Sequence, residues 1–248
     1  MEKYYRTFTQ KKIKNGQIKI RELQEVKEPL KTIQRKIKTN ILSKLPIHES
    51  AFGGVKKRDC ILHAAKHLGK KFHFSTDIKK CFPSIKPIMV YNLFITYGFS
   101  PDVSRLLTLL TTYKNELPQG SPTSTYLENL IFYNIDILLN NLILKNNIIY
   151  TRFVDDMIFS SNKDFKEHTN EIISILRNNK FNISHNKTYY KLGKIPVTGV
   201  LVGNNYLRPL NEHINKLKNL EYNSSSYIGL DSFLSRIINT RKKNKSYA

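Results

Sequence analysis

Cysteine is scarce in this sequence, which has only Cys60 and Cys81, and tryptophan is absent. Two cysteines are too few for a disulfide framework or for a zinc site built on cysteine. Long apolar runs are also missing, because no stretch approaches the roughly 18 uninterrupted apolar residues of a membrane span. The N-terminal segment MEKYYRTFTQKK lacks the apolar core of a signal peptide. These absences predict a cytoplasmic protein with reduced thiols and no membrane partner.

Acidic residues are also scarce relative to basic ones. The chain has 19 Asp+Glu against 41 Lys+Arg, which gives a net charge of +22 over 248 residues. A hydrophobic content of 40% indicates a globular protein with a substantial core. A compact body with this much positive charge repels itself unless a polyanion offsets it, so nucleic acid is the leading partner. An anionic membrane surface, or a Lys-rich composition unrelated to function, is the alternative.

Helical periodicity appears in several segments, and no internal repeat or clean linker separates them. Residues 23–45 carry apolar residues at steps of three and four, which predicts an amphipathic helix beginning near Pro29. CILHAAKHLG predicts a short helix closed by Gly69, and FKEHTNEIISILRNN predicts another helix. A long helix is predicted with Ser121 as N-cap and Pro122 as its first residue. Its expected buried stripe consists of Leu127, Leu130, Ile131, Ile135, Leu138 and Leu142.

Strand-like patterns lead into the acidic positions. KFHFSTDI alternates apolar and polar residues around Asp77, which predicts a half-buried strand. IIYTRFV and MIFSS predict two strands joined by a tight turn at Asp155 and Asp156. KFNIS predicts a strand, and PVTGVLVGNNYLRPL predicts a hairpin that turns at residues 203–205. The basic tail TRKKNKSYA is expected to be disordered unless bound.

The carboxylates at the ends of these strands suggest a metal site. Neighbouring strands of a sheet lie only about 5 Å apart, so Asp77 would meet Asp155 and Asp156 if the strands are neighbours. Three converging carboxylates repel one another unless divalent cations neutralise them, and Mg²⁺ prefers carboxylate oxygens together with substrate phosphates. Two such ions about 4 Å apart can promote phosphoryl transfer. Alternatively, Asp-Asp is simply a favourable turn sequence and Asp77 ends a strand.

Five segments, in order, resemble the conserved blocks of reverse transcriptases, and the set looks like the retron-type bacterial branch. These segments are STDIKKCFPSI, LPQGSPTSTYLENL, RFVDDMIFS, SHNKTYYKLG and VTGVLV. HAAKH and VTG are also similar to two short signatures of the retron branch. KNGQIKIRELQEVKEPLKTIQRKI is similar to the basic opening segment of the family, so the resemblance covers most of the chain.

The resemblance implies which residues perform the chemistry. Asp77 and Asp155 match the two metal-holding aspartates of the family, and Asp156 is the second acid of the pair. Ile78 would contribute its backbone carbonyl as a lesser ligand, and the implied cofactor is Mg²⁺, bound as two ions. Lys187 matches the lysine that reaches the leaving pyrophosphate as a charge stabiliser and general acid. Taken alone, Lys187 would be one of many solvated lysines.

The resemblance also implies contacts with the incoming dNTP. Phe82 falls where the family has an aromatic gate against the ribose 2′-OH, with a core phenylalanine as the alternative. Gln119 and Gly120 match the motif behind the nascent base pair, where glycine permits close backbone approach to the substrate. The Gly-rich basic loop could contact the triphosphate or be a solvated surface turn. The candidate basic residues are Arg21, Lys56, Lys57 and Arg58.

Residues implied on the primer and template side of the site are Phe153, Val154, His67, Thr198 and Gly199. The family usually has Tyr at 153 and a small residue at 154, so altered activity is expected. His63 stands where the retron branch has Asn and Thr125 where a second Pro is typical, which weakens the match to true retrons more than the match to polymerases. His63 and His67 have the i, i+4 spacing of a zinc pair, but no third ligand follows, so a structural or RNA-facing role is favoured.

The implied fold is α+β, a right-hand polymerase with fingers, a palm containing an antiparallel sheet, and a short helical thumb. We expect the fingers in residues 1–70, the palm with interleaved fingers elements in 71–204, and the thumb and basic tail in 205–248. The few residues after the VTG segment leave no room for a developed thumb clamp or a ribonuclease H domain. Processivity would then depend on a partner, on tight RNA capture or on an oligomer, and an effector protein or an oligomer is the expected kind of partner.

The implied reaction is RNA-templated DNA synthesis, in which a primer hydroxyl attacks a dNTP and pyrophosphate leaves. The template would be a cognate structured non-coding RNA, the product DNA, and the setting antiphage defence. One alternative is a catalytically idle RNA-binding scaffold, against which the intact Asp77, Asp155 and Lys187 argue. The other is a polymerase that works without an added template, or that is primed by a protein hydroxyl.

Overall fold

The computed structural model describes residues 2–14 and 17–245, and the side chains of 2–10 and 22–240. Helices α1 to α9 span, in chain order, Leu30–Asn40, Cys60–Ala65, Cys81–Ser84, Pro87–Thr96, Pro101–Thr111, Ser124–Leu144, Thr169–Asn178, Asn211–Lys218 and Ser225–Lys245. Strands β1 to β9 span Tyr5–Lys14, Gln17–Val26, Phe72–Asp77, Ile149–Phe153, Asp156–Ser161, Tyr189–Leu192, Ile195–Val197, Val200–Val202 and Leu207–Pro209. No helix in the described part of the chain combines the length and the apolar character needed to cross a bilayer.

The chain divides into two compact units that interleave along the sequence. The first unit comprises Met1–Glu49 and Lys79–Ile137, and the second comprises Ser50–Ile78 and Leu138–Ala248. The third crossing between the units, after Ile137, falls inside helix α6. The aspartates discussed above, Asp77, Asp155 and Asp156, all belong to the second unit.

The first unit contains the β1-β2 hairpin and helices α1, α3, α4 and α5. The hairpin is antiparallel, with Tyr5 opposite Val26. These two residues form a buried cluster with Leu30 and Tyr113. The rings of Tyr5 and Tyr113 stack with centroids 4.1 Å apart and an interplanar angle of 7°. This cluster attaches the base of the hairpin to the beginning of α1.

The second unit contains two antiparallel sheets. The first sheet has the strand order β4-β5-β3-β6, and the second has the order β7-β8-β9. A buried apolar cluster joins the second sheet to α2, β5 and α9. Its members are Ile61, Ala64, Ile158, Ile195, Val197, Val200, Val202, Leu207 and Ile237. The first sheet carries the aspartates, and its interior strand β3 ends at Asp77.

The beginnings of α1 and α2 agree with the sequence patterns. Helix α1 starts directly after Pro29 and buries Leu30, Gln34 and Ile37 on one face. Residues 23–26, which share the apolar spacing, belong instead to strand β2. The prediction of a helix beginning near Pro29 is therefore confirmed.

Helix α2 is capped by an aspartate that the pattern analysis did not identify. The Asp59 carboxylate accepts hydrogen bonds from the backbone N of Ile61 at 3.0 Å and of Leu62 at 2.8 Å. The helix ends at Ala65, and Gly69, with φ +77°, follows in the left-handed conformation. The predicted short helix is confirmed, and Gly69 closes the turn that follows it.

The burial predicted for β3 is wrong. His73 and Ser75, expected on an exposed face, are buried together with Phe74 and Thr76. Strand β3 pairs with β5 on one side and β6 on the other, so it is an interior strand of the sheet. Interior strands with both faces covered do not show the exposed half of the alternating pattern.

The predicted beginning of α6 is also wrong. The helix begins at Ser124, two residues after Pro122. The hydroxyl of Ser121 donates to the side-chain Oε1 of the buried Gln34 at 2.6 Å and accepts from the backbone N of Thr123 at 3.4 Å, so it links α1 to the turn that precedes α6. In the predicted stripe, Leu138 is 48% exposed. The stripe members confirmed as buried are Leu127, Leu130 and Ile135.

Three further predictions concern the KFNIS strand, the hairpin at residues 203–205 and the basic tail. KFNIS forms no strand, and Ile183 instead makes an isolated antiparallel bridge with Ile78. The hairpin that turns at residues 203–205 is confirmed as β8-β9, and β7 adds a third strand. Helix α9 continues to Lys245, so the basic tail is helical over residues 240–245, contrary to the expected disorder. Residues 246–248 lie outside the described chain.

Candidate active site

The turn between β4 and β5 carries the adjacent acidic residues. Phe153 pairs with Asp156 across the hairpin, so Val154 and Asp155 alone form the turn. The prediction that both acids occupy the turn is therefore wrong for Asp156, which begins β5. Val154 has φ +58°, an unfavourable conformation for a β-branched residue. Its carbonyl oxygen accepts a hydrogen bond of 3.2 Å from the buried Arg152 Nη1, which supports the strained turn.

The Gly-rich loop packs directly against this hairpin. The backbone N of Phe52 donates to Arg152 O at 2.7 Å, and Arg152 N donates to Ser50 O at 2.7 Å. A Cβ on Gly53 would lie 2.6 Å from both the backbone N and the Cγ2 of Val154. Only glycine permits this approach, so Gly53 helps to hold the turn that carries Asp155. Sequence analysis missed this role, for which the Gly-Gly pair was the available signal.

The substitution Gly53→Ala is expected to destabilise the protein by about 1–3 kcal/mol, because an added methyl overlaps the backbone of the hairpin. Urea unfolding measures the change. The matched control is Gly229→Ala, since a Cβ at Gly229 meets no atom within 4 Å and Gly229 lies in α9. Alanine in a helix should stabilise by up to about 1 kcal/mol. Equal effects of the two substitutions would contradict the packing argument.

Asp77 lies beside the acidic pair on a neighbouring antiparallel strand. In the register of β3 and β5, Asp77 is the cross-strand partner of Asp156. The next residue, Ile78, donates from its backbone N to the carbonyl oxygen of Asp155 at 2.9 Å. The expected meeting of Asp77 with the later hairpin is therefore confirmed, and the three aspartates lie at one end of the sheet.

Two side chains from residues 184–187 contact the Asp77 carboxylate. Ser184 Oγ donates to Asp77 Oδ1 at 2.8 Å, and Lys187 Nζ donates to Oδ2 at 2.5 Å. The backbone N of Ser184 also donates to Asp77 O at 2.7 Å. The Asp77 side chain is 10% exposed and that of Lys187 is 50% exposed, so a solvent-facing ammonium compensates a buried carboxylate. Lys187 thus lies beside the aspartates, whereas the contact of Ser184 was not anticipated, and its position one helical turn before Lys187 was the only signal.

The pKa of the Asp156 carboxyl reflects the burial and the charges of the site. Burial is the main cause that raises its pKa to about 7, and the negative charges of Asp155 and Asp77 add to the effect. Lys187 acts in the opposite direction. A carboxyl pKa raised by neighbouring carboxylates indicates a negative potential that a cation would relieve. Because the donors are carboxylate oxygens, the residues fit a hard divalent cation such as Mg²⁺.

The three aspartates do not form a closed ligand group. Within the described residues, no set of three or more His, Cys, Asp or Glu side chains is arranged to hold a metal. The Asp77 carboxylate is engaged by Ser184 and Lys187. The ammonium offsets charge that would otherwise repel the neighbouring acids. A metal ion that takes the place of Lys187 on Oδ2 of Asp77 would displace its ammonium.

The substitution Ser184→Ala is expected to lower both metal affinity and activity by about 10- to 100-fold, the usual effect of losing a group that orients a metal ligand. Titration with Mn²⁺ followed by electron paramagnetic resonance measures the affinity without turnover. Ser174→Ala is the control, because the Ser174 hydroxyl donates to Asn170 O on the exposed face of α7. Unchanged Mn²⁺ affinity in Ser184→Ala would show that the Ser184 hydroxyl does not orient Asp77 for the metal.

His67, predicted on the primer and template side, is fully buried. Its Nδ1 lies 2.7 Å from Ser160 Oγ, and its Nε2 lies 2.6 Å from Thr151 Oγ1. Burial, followed by the charge of His63, holds the pKa of His67 well below its ordinary value. The prediction is corrected, because a neutral ring with both nitrogens engaged links β4 to β5 and has no surface for nucleic acid. His63 is equally buried, with Nδ1 3.3 Å from Thr198 Oγ1, which argues against a zinc pair.

Thr198 and Gly199 form the two-residue turn between β7 and β8. Their φ values of +43° and +87° fit a type I′ turn. Thr198 Oγ1 donates to Cys60 O at 3.2 Å, which ties the turn to α2. A Cβ on Gly199 would lie 2.9 Å from His213 Cε1, so glycine is needed for packing as well as for the turn. A contact of this turn with the primer or template stays a prediction.

The basic residues predicted near the triphosphate have different surroundings. Lys56 and Lys57 are exposed, as expected for a solvated turn. Arg58 folds back on its own loop, where Nη1 donates to Ala51 O at 2.5 Å. The side chain of Arg21 lies outside the described residues, so its contact with the triphosphate stays a prediction.

Phe82, Gln119 and Gly120 belong to the first unit. Phe82 lies in α3 and is only partly buried, so it is not a core phenylalanine. The carbonyl oxygen of Gln119 accepts a hydrogen bond of 3.0 Å from Gln24 N. Gly120 has φ +114°, and a Cβ there would lie 3.3 Å from Gln24 O. The backbone that closely approaches Gly120 is thus that of β2, a reason for glycine that the sequence did not indicate.

Comparisons of the sequence with known proteins identify the family to which this chain is similar. A sequence profile of the family described as reverse transcriptase (RNA-dependent DNA polymerase) matches residues 11–230. The chain is 34% identical over 208 residues to the retron Se72 reverse transcriptase of Salmonella heidelberg (strain 579083-10), covering 79% of this chain and 55% of that protein. It is 32% identical over 157 residues to the retron Ec86 reverse transcriptase of Escherichia coli, covering 63% and 49%. The chain thus spans about half the length of these relatives.

Solved structures show the same fold. The telomerase of Candida albicans in complex with a fragment of telomeric RNA aligns with a TM-score of 0.56 at 10% identity, covering 97% of this chain and 56% of that one. The truncated apo telomerase of Candida tropicalis aligns with a TM-score of 0.54 at 11% identity, covering 84% and 55%. These similarities support the predicted α+β right-hand polymerase architecture. The chain therefore belongs to the reverse transcriptase family and resembles its retron-type members.

Proposed function

We propose that this protein is an RNA-directed DNA polymerase that extends a primer with dNTPs. The observation that carries the proposal is the cross-strand pairing of Asp77 with Asp156, with Asp155 in the adjoining turn and Lys187 beside Asp77. This places three acids and one cation at one end of a sheet, as phosphoryl transfer by metal-assisted attack requires. The family relationship supports the same reaction.

Asp77 and Asp155, with Asp156 and the carbonyl of Ile78 as further donors, would hold the metal. When bound, two Mg²⁺ ions supply activation of the primer hydroxyl and stabilisation of the leaving oxygen. The chain itself contributes a rigid support, because β3 and β5 fix the spacing of Asp77 and Asp156. Ser184 orients the Asp77 carboxylate through its hydroxyl.

Lys187 has a second role in the proposal. Its ammonium contacts Asp77 and its side chain is half exposed, so it is free to move toward a phosphate that enters the site. There it would stabilise the charge on the leaving pyrophosphate and donate a proton to it. Displacement of Lys187 from Asp77 would thus accompany loading of the site.

The remaining contacts are proposed from the family resemblance. Phe82, Gln119 and Gly120 would contact the dNTP, with Lys57, Arg58 and Arg21 near its phosphates. Phe153, Val154, Thr198 and Gly199 would lie on the primer and template side. We assign fingers to residues 1–70, palm to 71–204 and thumb to 205–248.

The biological setting extends the proposal further. The template would be a cognate structured non-coding RNA, as the similarity to retron reverse transcriptases suggests. The enzyme would act in the cytoplasm, in antiphage defence, with an effector protein or a second copy as partner. The net charge of +22 supports a polyanionic partner.

Primer extension tests the proposal. Purified protein is supplied with a primed RNA template, dNTPs and Mg²⁺, and the product is sequenced. The expected product is DNA complementary to the RNA. DNA of a sequence unrelated to the template would instead identify a polymerase that works without a template. Absence of any product, with the protein folded and RNA bound, would favour the idle scaffold.

A further inference from the structure

A concavity bordered by lysines lies in the second unit, at the end of the four-stranded sheet opposite Asp77. It has a volume of about 340 Å³ and is lined by Lys70, Lys71 and Lys194 together with Leu192, Asn204 and Tyr206, so the lysines supply the charge around a mainly apolar lining. Strand β3 runs from Phe72, next to the concavity, to Asp77. Five residue steps of about 3.3 Å place these ends roughly 17 Å apart. The concavity is therefore separate from the aspartates and too distant to hold the reacting phosphates.

Three chain segments are fixed around this concavity by backbone hydrogen bonds. Gly193 N donates to Lys71 O at 2.8 Å, and Lys71 N donates to Ser161 O at 3.1 Å. Gly69 N donates to Gly203 O at 3.5 Å. The lysines thus extend from backbone that the sheet and its turns hold in place. The backbone of such a site loses little conformational freedom when a ligand binds to it.

Tyr206 forms a rigid wall of the concavity. A Cβ on Gly203 would overlap the Tyr206 ring, so the ring packs directly on the backbone of Gly203. The guanidinium of Arg208 lies 4.6 Å from the ring centroid, which places a further cation near the lysines. The β8-β9 hairpin therefore adds both an aromatic surface and positive charge.

The concavity has no acidic residue among its described lining residues. The charges of Lys70 and Lys66 contribute to the lowered pKa of the buried His67, after burial and the neighbouring histidines. The charge of Lys191 acts in the same direction on His73.

We propose that this concavity binds the sugar-phosphate backbone of RNA. Lysines and an arginine on fixed backbone, with no acidic residue in the described lining, suit phosphate oxygens and carry no information about base sequence. The identity of the polyanion as RNA rests on the proposed function. A structured RNA held here would be retained by the protein independently of the primer end at Asp77.

The test compares two triple variants with the same change in charge. K70Q/K71Q/K194Q removes the lysines of the concavity, and K145Q/K166Q/K180Q removes three exposed lysines elsewhere in the second unit. The affinity for a long stem-loop RNA is measured as a function of salt concentration, with a DNA stem-loop of the same sequence in parallel. Extension of a short primer-template duplex that reaches only the catalytic end is measured separately.

The first variant should reduce the slope of log K against log salt for the RNA by about 2 to 3, since each lost phosphate contact contributes about 0.7–0.9. The control should change it by less than about 1, and short-duplex extension should be unchanged in both. Equal slopes in the two variants, a loss confined to the DNA probe, or loss of short-duplex extension would overturn the proposal. Failure of the unmodified protein to extend any primer would refute the polymerase activity alone, because RNA affinity is a separate readout.

Discussion

Asp155→Asn is expected to reduce primer extension by at least about 10³-fold while leaving the fold intact. The substitution keeps the size of the side chain and removes a charge at the two-residue turn of the β4-β5 hairpin. Loss of a metal-binding carboxylate removes several kcal/mol of transition-state stabilisation, and each 1.4 kcal/mol corresponds to about tenfold in rate. Single-turnover extension of a primed RNA measures the effect.

Asp102→Asn is the matched control for this experiment. Asp102 lies in the first turn of α5 with a side chain that is 92% exposed. Its neutralisation should change the rate by less than about twofold, because exposed ion pairs contribute little. Thermal unfolding of both variants separates a catalytic effect from loss of structure. Extension that survives Asp155→Asn would refute the assignment of Asp155 to the metal.

Lys187→Gln is expected to lower the rate of nucleotide addition by about 10²- to 10⁴-fold, the range that a positioned proton donor contributes. The structural reason is the position of Lys187 Nζ, 2.5 Å from Asp77 Oδ2 at the acidic end of the sheet. Lys187→Arg separates the two proposed roles. Arginine keeps the positive charge but remains protonated throughout the working pH range, so it cannot donate the proton.

The comparison of the two substitutions distinguishes these roles. If Lys187 donates the proton, Lys187→Arg should resemble Lys187→Gln. If Lys187 supplies charge alone, Lys187→Arg should retain most of the activity. Lys191→Gln, on the neighbouring strand β6, controls for the general loss of one positive charge. A normal rate in Lys187→Gln would remove Lys187 from the mechanism.

The sequence predicted the acidic end of the sheet well because its signals are local. Asp77 ends a strand, and the acidic pair lies between two apolar runs. The structure also shows pairing between strands that are distant in sequence, which local patterns do not indicate. The expected alternation in β3 failed because β5 and β6 both pair with it, so tertiary packing buries His73 and Ser75.

Other parts of the site depend on contacts between residues far apart in sequence. Gly53 is required by its approach to Val154, about a hundred positions later, and Ser184 by its hydrogen bond to Asp77. Neither residue type indicates such a contact by itself, since glycine is common in loops and serine is common on surfaces. The same limit applies to His67, whose two ring contacts lie on β4 and β5.

The strained turn connects the fold to the proposed chemistry. Val154 adopts a positive φ that the chain supports through Arg152 and Gly53. Such strain persists only where surrounding structure imposes it. Here it positions Asp155 next to Ile78, one residue beyond Asp77. The contacts of Arg152 and Gly53 thus hold the turn that carries Asp155.

Anomalous diffraction from crystals soaked with Mn²⁺ tests the central claim most directly, which is that Asp77 and Asp155 share a divalent cation. The account predicts a peak within coordination distance of carboxylate oxygens of both residues, with Lys187 Nζ withdrawn from Asp77. A peak that contacts only one of the two aspartates, or full occupancy elsewhere with the Asp77–Lys187 pair unchanged, would contradict it.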